Sequence, residues 1–172
     1  GGCTSTAGSS ALFCPAGVGT AGEAVSSRLA RQVFATDFAG IDASGATDSS
    51  SGFNAMIAAT PAQGWRVVIP RGVYRISTAL FLRSNTEVAC EAGAIIKPQA
   101  RFAAFSNVNA NVDWATDFRQ ATPENLTDKN ISVSGCTIDF GEAGATAPGY
   151  NIPPGGFRFK LVDGLRVSRN RV

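Results

Sequence analysis

Residues 65–98, WRVVIPRGVYRISTALFLRSNTEVACEAGAIIKP, decide the fold predicted for this chain. From Tyr74 onward the bulky aliphatic side chains fall at even positions: Ile76, Leu80, Leu82 and Val88. The charged side chains fall at odd positions: Arg75, Arg83, Glu87 and Glu91. Because successive side chains of a strand point to opposite faces, this period of two indicates strands with one buried and one solvated face. Turn residues at 70–72 and 83–85 divide the run into short strands, which favours a coiled sheet over a flat one.

The composition of the chain indicates a packed, loop-rich β protein. Its 172 residues are 44% hydrophobic and include 19 glycines, whereas only 16% are charged. That length suits one domain or a piece of a larger one. The net charge of +2, with no basic run interleaved with aromatic residues, argues against nucleic-acid binding. No stretch reaches roughly 20 apolar residues, the length of a membrane span, so no membrane partner is predicted.

The residue types of the chain limit its chemistry. There is no histidine, which excludes Ser-His and Cys-His nucleophile pairs and His-based zinc sites within this chain. The four cysteines, Cys3, Cys14, Cys90 and Cys136, include no CxxC pair, so the sequence predicts neither a metal nor a cofactor. Cys90 and Cys136 lie in the apolar register of predicted strands, where a free buried thiol is the favoured interpretation. A Cys3–Cys14 or Cys90–Cys136 bridge is the alternative and requires an oxidising compartment.

The N-terminal part is predicted to precede the β region. Residues 1–20 are mostly Gly, Ser, Thr and Ala, a composition typical of an extended arm or linker. Residues 21–36 are predicted as a short neck helix, because Val25, Leu29 and Val33 are spaced four apart. This narrow apolar stripe either packs within its own domain or forms an oligomer contact.

A second short helix is predicted directly before the β region. Between Ser49 and Thr60 the apolar residues Phe53, Met56 and Ile57 share one face. Asp48 or a following Ser is able to cap its first turn, and Pro61 ends it. A helix at this place would cover the open end of a coiled sheet, whose edges would otherwise pair with other chains.

The later part of the chain contains a repeat. After a predicted long loop at 99–129, NISVSGCTI (130–138) and GLRVSRNRV (164–172) align without a gap, so that Val133 matches Val167. The segment 86–88 matches 131–133 more loosely, which aligns Val88 with Val133. Repeated strands separated by insertions of variable length are typical of a solenoid. We therefore predict that residues 37–172 are the N-terminal coils of a β-helix domain that continues beyond residue 172, with 65–98 as its first coil.

Together these segments resemble the right-handed parallel β-helix proteins of the pectate-lyase-like superfamily. DFAGIDASGATDSSSGFNAMIAA (37–59) resembles the opening of that family, and Pro70-Arg71-Gly72-Val73-Tyr74 resembles its Pro-x-Gly-x-Tyr corner. The double-Gly turn of the family is eroded here, and its usual Asp pair is replaced by Ser49-Ser50. The resemblance implies a mainly β solenoid and specifies the fold much better than an activity.

The upstream segment AGVGTAGEAVSSRLARQVFATDF (16–38) is similar to the junction before the β-helix in bacteriophage tailspike and tail-fibre proteins. This resemblance implies a homotrimer in the virion tail, assembled in the host cytoplasm. It also implies attachment of the arm to tail or baseplate proteins, and recognition or depolymerisation of host capsule or lipopolysaccharide. Two alternatives stay open: a secreted polysaccharide lyase or glycoside hydrolase, and a non-catalytic β-helix structural module.

Whether the protein is an enzyme stays open, since a fold does not determine an activity. Asp139 and Glu142 are the best local candidates for an acid–base pair, although a strand-end carboxylate and a loop carboxylate in water are the favoured interpretation. Arg158, Lys160 and Arg166 are candidates for binding an anionic sugar, but charges on solvent faces also prevent edge pairing. Asp42 and Asp48 are assigned to the first turn and the helix cap. We predict no complete active site within this chain.

Overall fold

The protein is a stack of parallel strands wound into coils, as seen in a computed structural model. The structure describes residues 31–111, 126–141 and 155–172, together with the backbone pairing of Leu12–Phe13 (β1) with Glu23–Ala24 (β2). The further strands are β3 (Gln32–Phe34), β4 (Ser44–Asp48), β5 (Arg66–Ile69), β6 (Gly72–Ile76), β7 (Leu80–Leu82), β8 (Glu87–Cys90), β9 (Ala94–Pro98), β10 (Phe105–Asn107), β11 (Asp128–Lys129), β12 (Ser132–Ser134), β13 (Thr137–Ile138), β14 (Phe157–Arg158), β15 (Val162–Asp163) and β16 (Arg166–Ser168). The described α-helix is α1 (Ser50–Ala58).

Three parallel sheets form the sides of the solenoid. In the part of the chain that the structure describes, sheet 1 has the order β16-β12-β8-β5-β3, sheet 2 the order β13-β9-β6-β4, and sheet 3 the order β14-β10-β7. Strands β11 and β15 form a further parallel pair. This mainly β, parallel β-helix architecture confirms the predicted fold class.

Sheet 1 shows how the sequence sets the register of the coils. In each of its five strands a valine lies beside the valine of the next strand, so that these residues form one column: Val33, Val67, Val88, Val133 and Val167. Val88 pairs with Val133, and Val133 pairs with Val167, as the alignment of the repeats predicted. Because β-branched side chains fit a pleated, buried surface, this column fixes which face of each strand points inward.

The core lies inside the coil and uses the residues predicted from the period of two. Tyr74, Ile76, Leu80, Leu82 and Val88 are each at most 2% exposed. In sheet 3, Leu80 pairs with Phe105, which pairs with Phe157, and the two phenyl rings stack with centroids 5.8 Å apart. Each fully buried side chain of this size contributes about 1.5–3 kcal/mol relative to an exposed one.

Residues 65–98 contain more than the predicted first coil. Strands β5, β6 and β7 complete one coil, and β8 then stacks directly on β5, with Glu87 beside Arg66. The stretch therefore holds one full coil and the first two strands of the next. Strands β3 and β4 precede it as part of an earlier coil.

Helix α1 takes the place of a third strand in that earlier coil, as its predicted role at the open edge requires. Phe53, Met56 and Ile57 are buried against the core. The Asn54 side chain donates a hydrogen bond to the carbonyl oxygen of Ala79 (3.0 Å) and accepts one from the backbone N–H of Phe81 (2.9 Å). Among the described residues, β7 has no strand partner on this edge. The amide of Asn54 therefore provides the hydrogen bonds that a neighbouring strand would otherwise supply.

The predicted neck helix at 21–36 is wrong at the residues described there. Glu23–Ala24 is a strand, and Val33 lies in β3, where it pairs with Val67 and packs against the core. Parallel pairing with a strand of the next coil outweighs the local spacing of four that suggested a helix. Val25 and Leu29 lie outside the described residues, so the oligomer contact through Val25, Leu29 and Val33 stays a prediction, as do the boundaries at 20 and 36.

The predicted long loop at 99–129 is also interrupted by regular structure. Phe105–Asn107 forms β10 and continues sheet 3, a 3-10 turn follows at Val108–Asn111, and Asp128–Lys129 forms β11. Residues 112–125 lie outside the described part. No helix in the described residues has the length and apolar character needed to cross a membrane.

A disulfide joins two neighbouring coils. Cys90 and Cys136 are bonded, with their Cα atoms 4.9 Å apart and a sequence separation of 46. This corrects the favoured interpretation of free thiols and agrees with the alternative pairing. The register explains it, because β8 and β12 pair with Ala89 beside Ser134, which brings Cys90 beside Gly135 and next to Cys136. Cys3 and Cys14 lie outside the described residues.

Candidate functional site

One corner of the solenoid repeats the same backbone conformation in four successive coils. The residues before β5, β8, β12 and β16 all have positive φ: Gly64 (85°), Asn85 (65°), Asn130 (53°) and Gly164 (71°). Positive φ is adopted readily by glycine and, among other residues, best by asparagine. Each of these four residues stands at the same distance from the valine of its own strand, so they stack on one another along the solenoid.

The two asparagines of this corner form a ladder of side-chain amides. Asn85 donates to the carbonyl oxygen of Ala62 (2.8 Å), and the amide of Asn130 donates to Oδ1 of Asn85 (3.0 Å). The next coil has Gly164 at the equivalent position, so the ladder stops there. No described residue donates to Oδ1 of Asn130, which faces the space that a side chain at position 164 would fill.

A shallow cleft opens where the ladder stops. It has a volume of about 330 Å³ and is lined by the corner and by the outer face of sheet 1: Asn85, Glu87, Asn130, Ile131, Ser132, Gly164 and Arg166. Glu87, Ser132 and Arg166 are register partners in three neighbouring strands. Adjacent strands are about 4.8 Å apart, so these side chains form a row about 10 Å long.

The charges in this row differ in their state of pairing. Nε of Arg66 lies 3.7 Å from Oε1 of Glu87, and both side chains are about half exposed. The guanidinium of Arg166 has no hydrogen bond or ion pair with any described residue, and neither does the hydroxyl of Ser132. The cleft therefore presents a cation, a hydroxyl and an amide oxygen that are available to a ligand.

The structure does not bring Asp139 of the predicted acid–base pair into this cleft. Asp139 is exposed at the end of sheet 2, where it lies beside Lys97 and accepts a hydrogen bond from the N–H of Gly141 (2.9 Å). The next acid in its row is Asp48, three strand spacings or about 14 Å away, beyond the roughly 5–9.5 Å that glycoside hydrolysis requires. Glu142 lies outside the described residues, so the pair itself stays a prediction.

The predicted sugar-binding cations lie on different sides of the solenoid. Arg166 lines the cleft on sheet 1, whereas Arg158 pairs with Ser106 in sheet 3. Lys160 follows β14, and its backbone N–H and carbonyl bond with the side chain of Asn107. Of the three candidates, Arg166 is the one that shares a cleft with other polar groups.

Asp128 is a buried carboxylate that the sequence patterns did not reveal. It links residues at another corner of the solenoid by hydrogen bonds. Asp128 is 6% exposed and accepts hydrogen bonds from Asn107 (2.6 Å), Asn109 (3.1 Å) and Ser84 (3.3 Å). Ser84 belongs to the preceding coil, so these bonds connect two successive coils. A buried carboxylate that is satisfied in this way is structural.

Asp42 and Asp48 are structural, as predicted. Asp42 accepts hydrogen bonds from the backbone and side chains of Ser44 and Thr47, which hold the pKa of this exposed carboxyl well below its ordinary value. Burial would raise the pKa of Asp48, but hydrogen bonds from Ser77 and Ser50 outweigh it and lower the pKa. Its carboxylate also accepts a hydrogen bond from the N–H of Ser50, the first residue of α1, although the N-cap residue of the helix is Ser49.

The described lining of the cleft offers polar and charged groups that can bind a ligand. Among the described residues that line it, Glu87 is the one that carries a carboxylate. Two carboxyl groups are needed across a glycosidic bond, so the described lining lacks one of them. No group of three or more potential metal ligands occurs among the described residues.

Comparisons with solved structures agree with this architecture. A protein of Geobacillus virus E2, ORF18, matches with a TM-score of 0.59 and 16% identity over 85% of this chain. PfbA, a surface adhesin of Streptococcus pneumoniae, matches with a TM-score of 0.56 and 21% identity over 81%. An iota-carrageenase of family GH82 from A. fortis matches with a TM-score of 0.51 and 18% identity over 81%. At these identities the likeness concerns the fold alone.

The chain spans 26%, 32% and 28% of the lengths of these three proteins, respectively. No protein-family model matches the chain, and no curated protein sequence matches it significantly. The shared property is therefore a β-helix that occurs in a phage protein, a bacterial adhesin and a polysaccharide-degrading enzyme.

Proposed function

We propose that this chain is the N-terminal β-helix part of a phage tailspike that recognises polysaccharide on the host surface. The observation that carries the proposal is the polar cleft at Asn130, Ser132 and Arg166, placed on the outer face of a β-helix. A rigid sheet presents these side chains at fixed spacing, which suits a polymer with repeating hydroxyl groups. The fold shared with a phage protein supports the setting.

Depolymerisation is assigned to parts of the protein outside the described coils. Asp139 lies about 14 Å from the next acid in its row, and Glu87 is the carboxylate of the described cleft lining. Coils with this arrangement bind a saccharide without cleaving it. We propose that they position the protein on the host polysaccharide and set the register for later coils that carry the chemistry.

The remaining features of the proposal concern assembly. The protein is a homotrimer in the phage tail, and the segment 1–20 attaches it to tail or baseplate proteins. Host capsule or lipopolysaccharide is the ligand. These features rest on the resemblance of residues 16–38 to tailspike junctions.

Two measurements test this proposal. Sedimentation equilibrium under native conditions should give a trimer of the 17.7 kDa chain. Binding to capsule and lipopolysaccharide purified from the host should be saturable and should not shorten the polymer. A monomer would contradict the tailspike, and failure to bind either polysaccharide would contradict recognition by these coils.

One observation favours a second candidate, a secreted β-helix module. The Cys90–Cys136 disulfide is a feature of proteins that reside in oxidising compartments, whereas the cytoplasm keeps thiols reduced. A tailspike would form this bond only after release from the host. Thiol labelling of these two cysteines in protein taken from freshly lysed cells separates the candidates: labelled thiols support assembly in the cytoplasm, and an intact bond supports secretion.

A further inference from the structure

We infer that the Cys90–Cys136 bond forms in the already folded protein, by exchange with a small-molecule disulfide that reacts first at Cys90. Cys136 then acts as the resolving thiol, and reduction of the bond likewise begins at the sulfur of Cys90. Such a reactive site goes beyond the proposed function, since it would serve a phage protein and a secreted protein alike.

The two cysteines of the bond differ in exposure. Cys136 is 0% exposed and belongs to the core, whereas Cys90 is partly exposed at the end of β8, directly before the exposed residues 91–93. A disulfide in solvent therefore reaches Cys90, but it reaches Cys136 only if the coils open. Because exchange requires access to the attacking sulfur, this difference makes Cys90 the first thiol to react.

Contacts with the coils on both sides keep Cys136 in its buried position. Its backbone N–H donates a hydrogen bond to Oδ1 of Asn170 (2.9 Å), and the amide of Asn170 donates to the carbonyl oxygen of Val133 (2.9 Å). On the other side, a Cβ at Gly135 would lie 2.8 Å from the carbonyl oxygen of Cys90, so the two backbones lie too close to admit a reagent between them. Cys136 is therefore shielded for as long as these coils stay stacked.

The bond forms in two exchange steps. In the first, the thiolate of Cys90 attacks one sulfur of the reagent disulfide, the S–S bond of the reagent breaks, and half of the reagent leaves as a thiolate. In the second, the thiolate of Cys136 attacks Sγ of Cys90 and expels the other half. Two protein thiols are oxidised, one reagent disulfide is reduced to two thiols, and the protons of the protein thiols pass to the two leaving thiolates. The second step is intramolecular, and the Cα separation of 4.9 Å is one that a disulfide spans.

The test measures how fast each cysteine takes up a reagent. The probe is 2-hydroxyethyl disulfide, which is small and neutral, so the charge of the neighbouring Glu91 does not affect the comparison. The parent chain is Cys3→Ser/Cys14→Ser, and the matched variants are Cys136→Ala and Cys90→Ala in that parent, each reduced and then freed of reductant. Mass spectrometry counts the added groups over time, in native buffer and in urea.

In native buffer, Cys136→Ala should react at Cys90 at least about a hundredfold faster than Cys90→Ala reacts at Cys136, because the buried thiol reacts only after local opening. In urea the two rates should become similar. The reduced parent should keep its native circular dichroism spectrum and should form the bond in native buffer. Equal rates in the two folded variants, faster reaction at Cys136, or a reduced parent that is unfolded or forms the bond only in urea would overturn the inference.

A second measurement decides the question where either single variant fails to fold. The reduced parent, which retains both cysteines, is treated in native buffer with less than one equivalent of iodoacetamide, and peptide mapping locates the alkylated thiol. Alkylation at Cys90 supports the inference, whereas alkylation at Cys136, or at both in equal amounts, overturns it. None of these outcomes depends on saccharide binding, so failure here leaves the proposed function standing.

Discussion

The side-chain amide of Asn130 donates a hydrogen bond to Oδ1 of Asn85, 3.0 Å away, although the two residues are 45 positions apart in sequence. Asn85 in turn donates to the carbonyl oxygen of Ala62 at 2.8 Å. These bonds tie the same corner of three successive coils together. The ladder stops at Gly164, and the proposed binding cleft lies at that point.

Substitution of Asn85 tests the ladder. Asn85→Ala should lower the free energy of unfolding by about 2–4 kcal/mol, because it removes two hydrogen bonds of about 1 kcal/mol each and places alanine at a φ of 65°. Asn85→Gly removes the same bonds but tolerates that φ, so it should be less destabilising. Urea unfolding of both variants measures the difference. An alanine variant as stable as the glycine variant would contradict the left-handed corner.

Because the coils are closely packed, substitution of Gly64 and of Gly155 by alanine should change the free energy of unfolding by different amounts. A Cβ at Gly64 would overlap the carbonyl oxygen of Asn85, and φ is 85°. Gly64→Ala should therefore destabilise by at least about 3 kcal/mol. At Gly155 a Cβ would have its nearest contact at 3.7 Å, so Gly155→Ala should stay within about 0.5 kcal/mol of the wild type. Similar unfolding midpoints for the two variants would show that the coils are stacked differently.

The disulfide between Cys90 and Cys136 should stabilise the protein by closing a long loop. For a sequence separation of 46 the chain-entropy model gives an upper value of about 4 kcal/mol. Denaturant unfolding with and without a reductant measures this contribution. As the control, Cys90→Ala/Cys136→Ala should unfold at the same denaturant concentration in both conditions, which removes any effect of the reductant on Cys3 and Cys14. No change on reduction of the wild type would indicate that the bond is absent.

The lowered pKa of Asp48 predicts that the stability of the protein depends on pH. Its pKa is below the ordinary value of 3.8 in the folded state, so its contribution is present above that pH and is lost as the pH falls through the folded pKa. Asp48→Asn cannot ionise. The stability difference between wild type and Asp48→Asn should therefore be largest near neutral pH and should shrink below about pH 4.

Urea midpoints at pH 7, 5, 3 and 2 measure this difference. Ser51→Ala, an exposed serine in the same helix turn, should follow the wild type at each pH. A difference between wild type and Asp48→Asn that is constant over the whole range would show that the ionised carboxylate does not stabilise the start of α1 through Ser50 and Ser77.

Much of the fold could be predicted because its signals are local or repeated. The period of two identified the buried faces at Tyr74 and Leu82. The alignment of the repeats gave the true pairing of Val88 with Val133 and of Val133 with Val167. Val33 was placed in a helix because its partner, Val67, belongs to another coil. Local spacing carries no information about such a partner.

The cleft was missed for a different reason. Extending the aligned valine column back by three positions in each strand gives Asn85, Asn130 and Gly164, so the corner could have been found from the repeat alone. Arg166 was singled out from its charge, but the structure was needed to separate it from Arg158. Whether two charges lie on one face of a solenoid depends on where each corner turns.

The most direct test of the central claim is to locate a bound fragment of the host polysaccharide on the protein. Backbone amide chemical shifts of the isotope-labelled 17.7 kDa chain are recorded while an oligosaccharide prepared from host capsule or lipopolysaccharide is added. We predict saturable shifts centred on Asn130, Ser132, Gly164 and Arg166, at the end of the amide ladder. Shifts confined to sheet 2 around Lys97 and Asp139, or no shifts at all, would contradict the account.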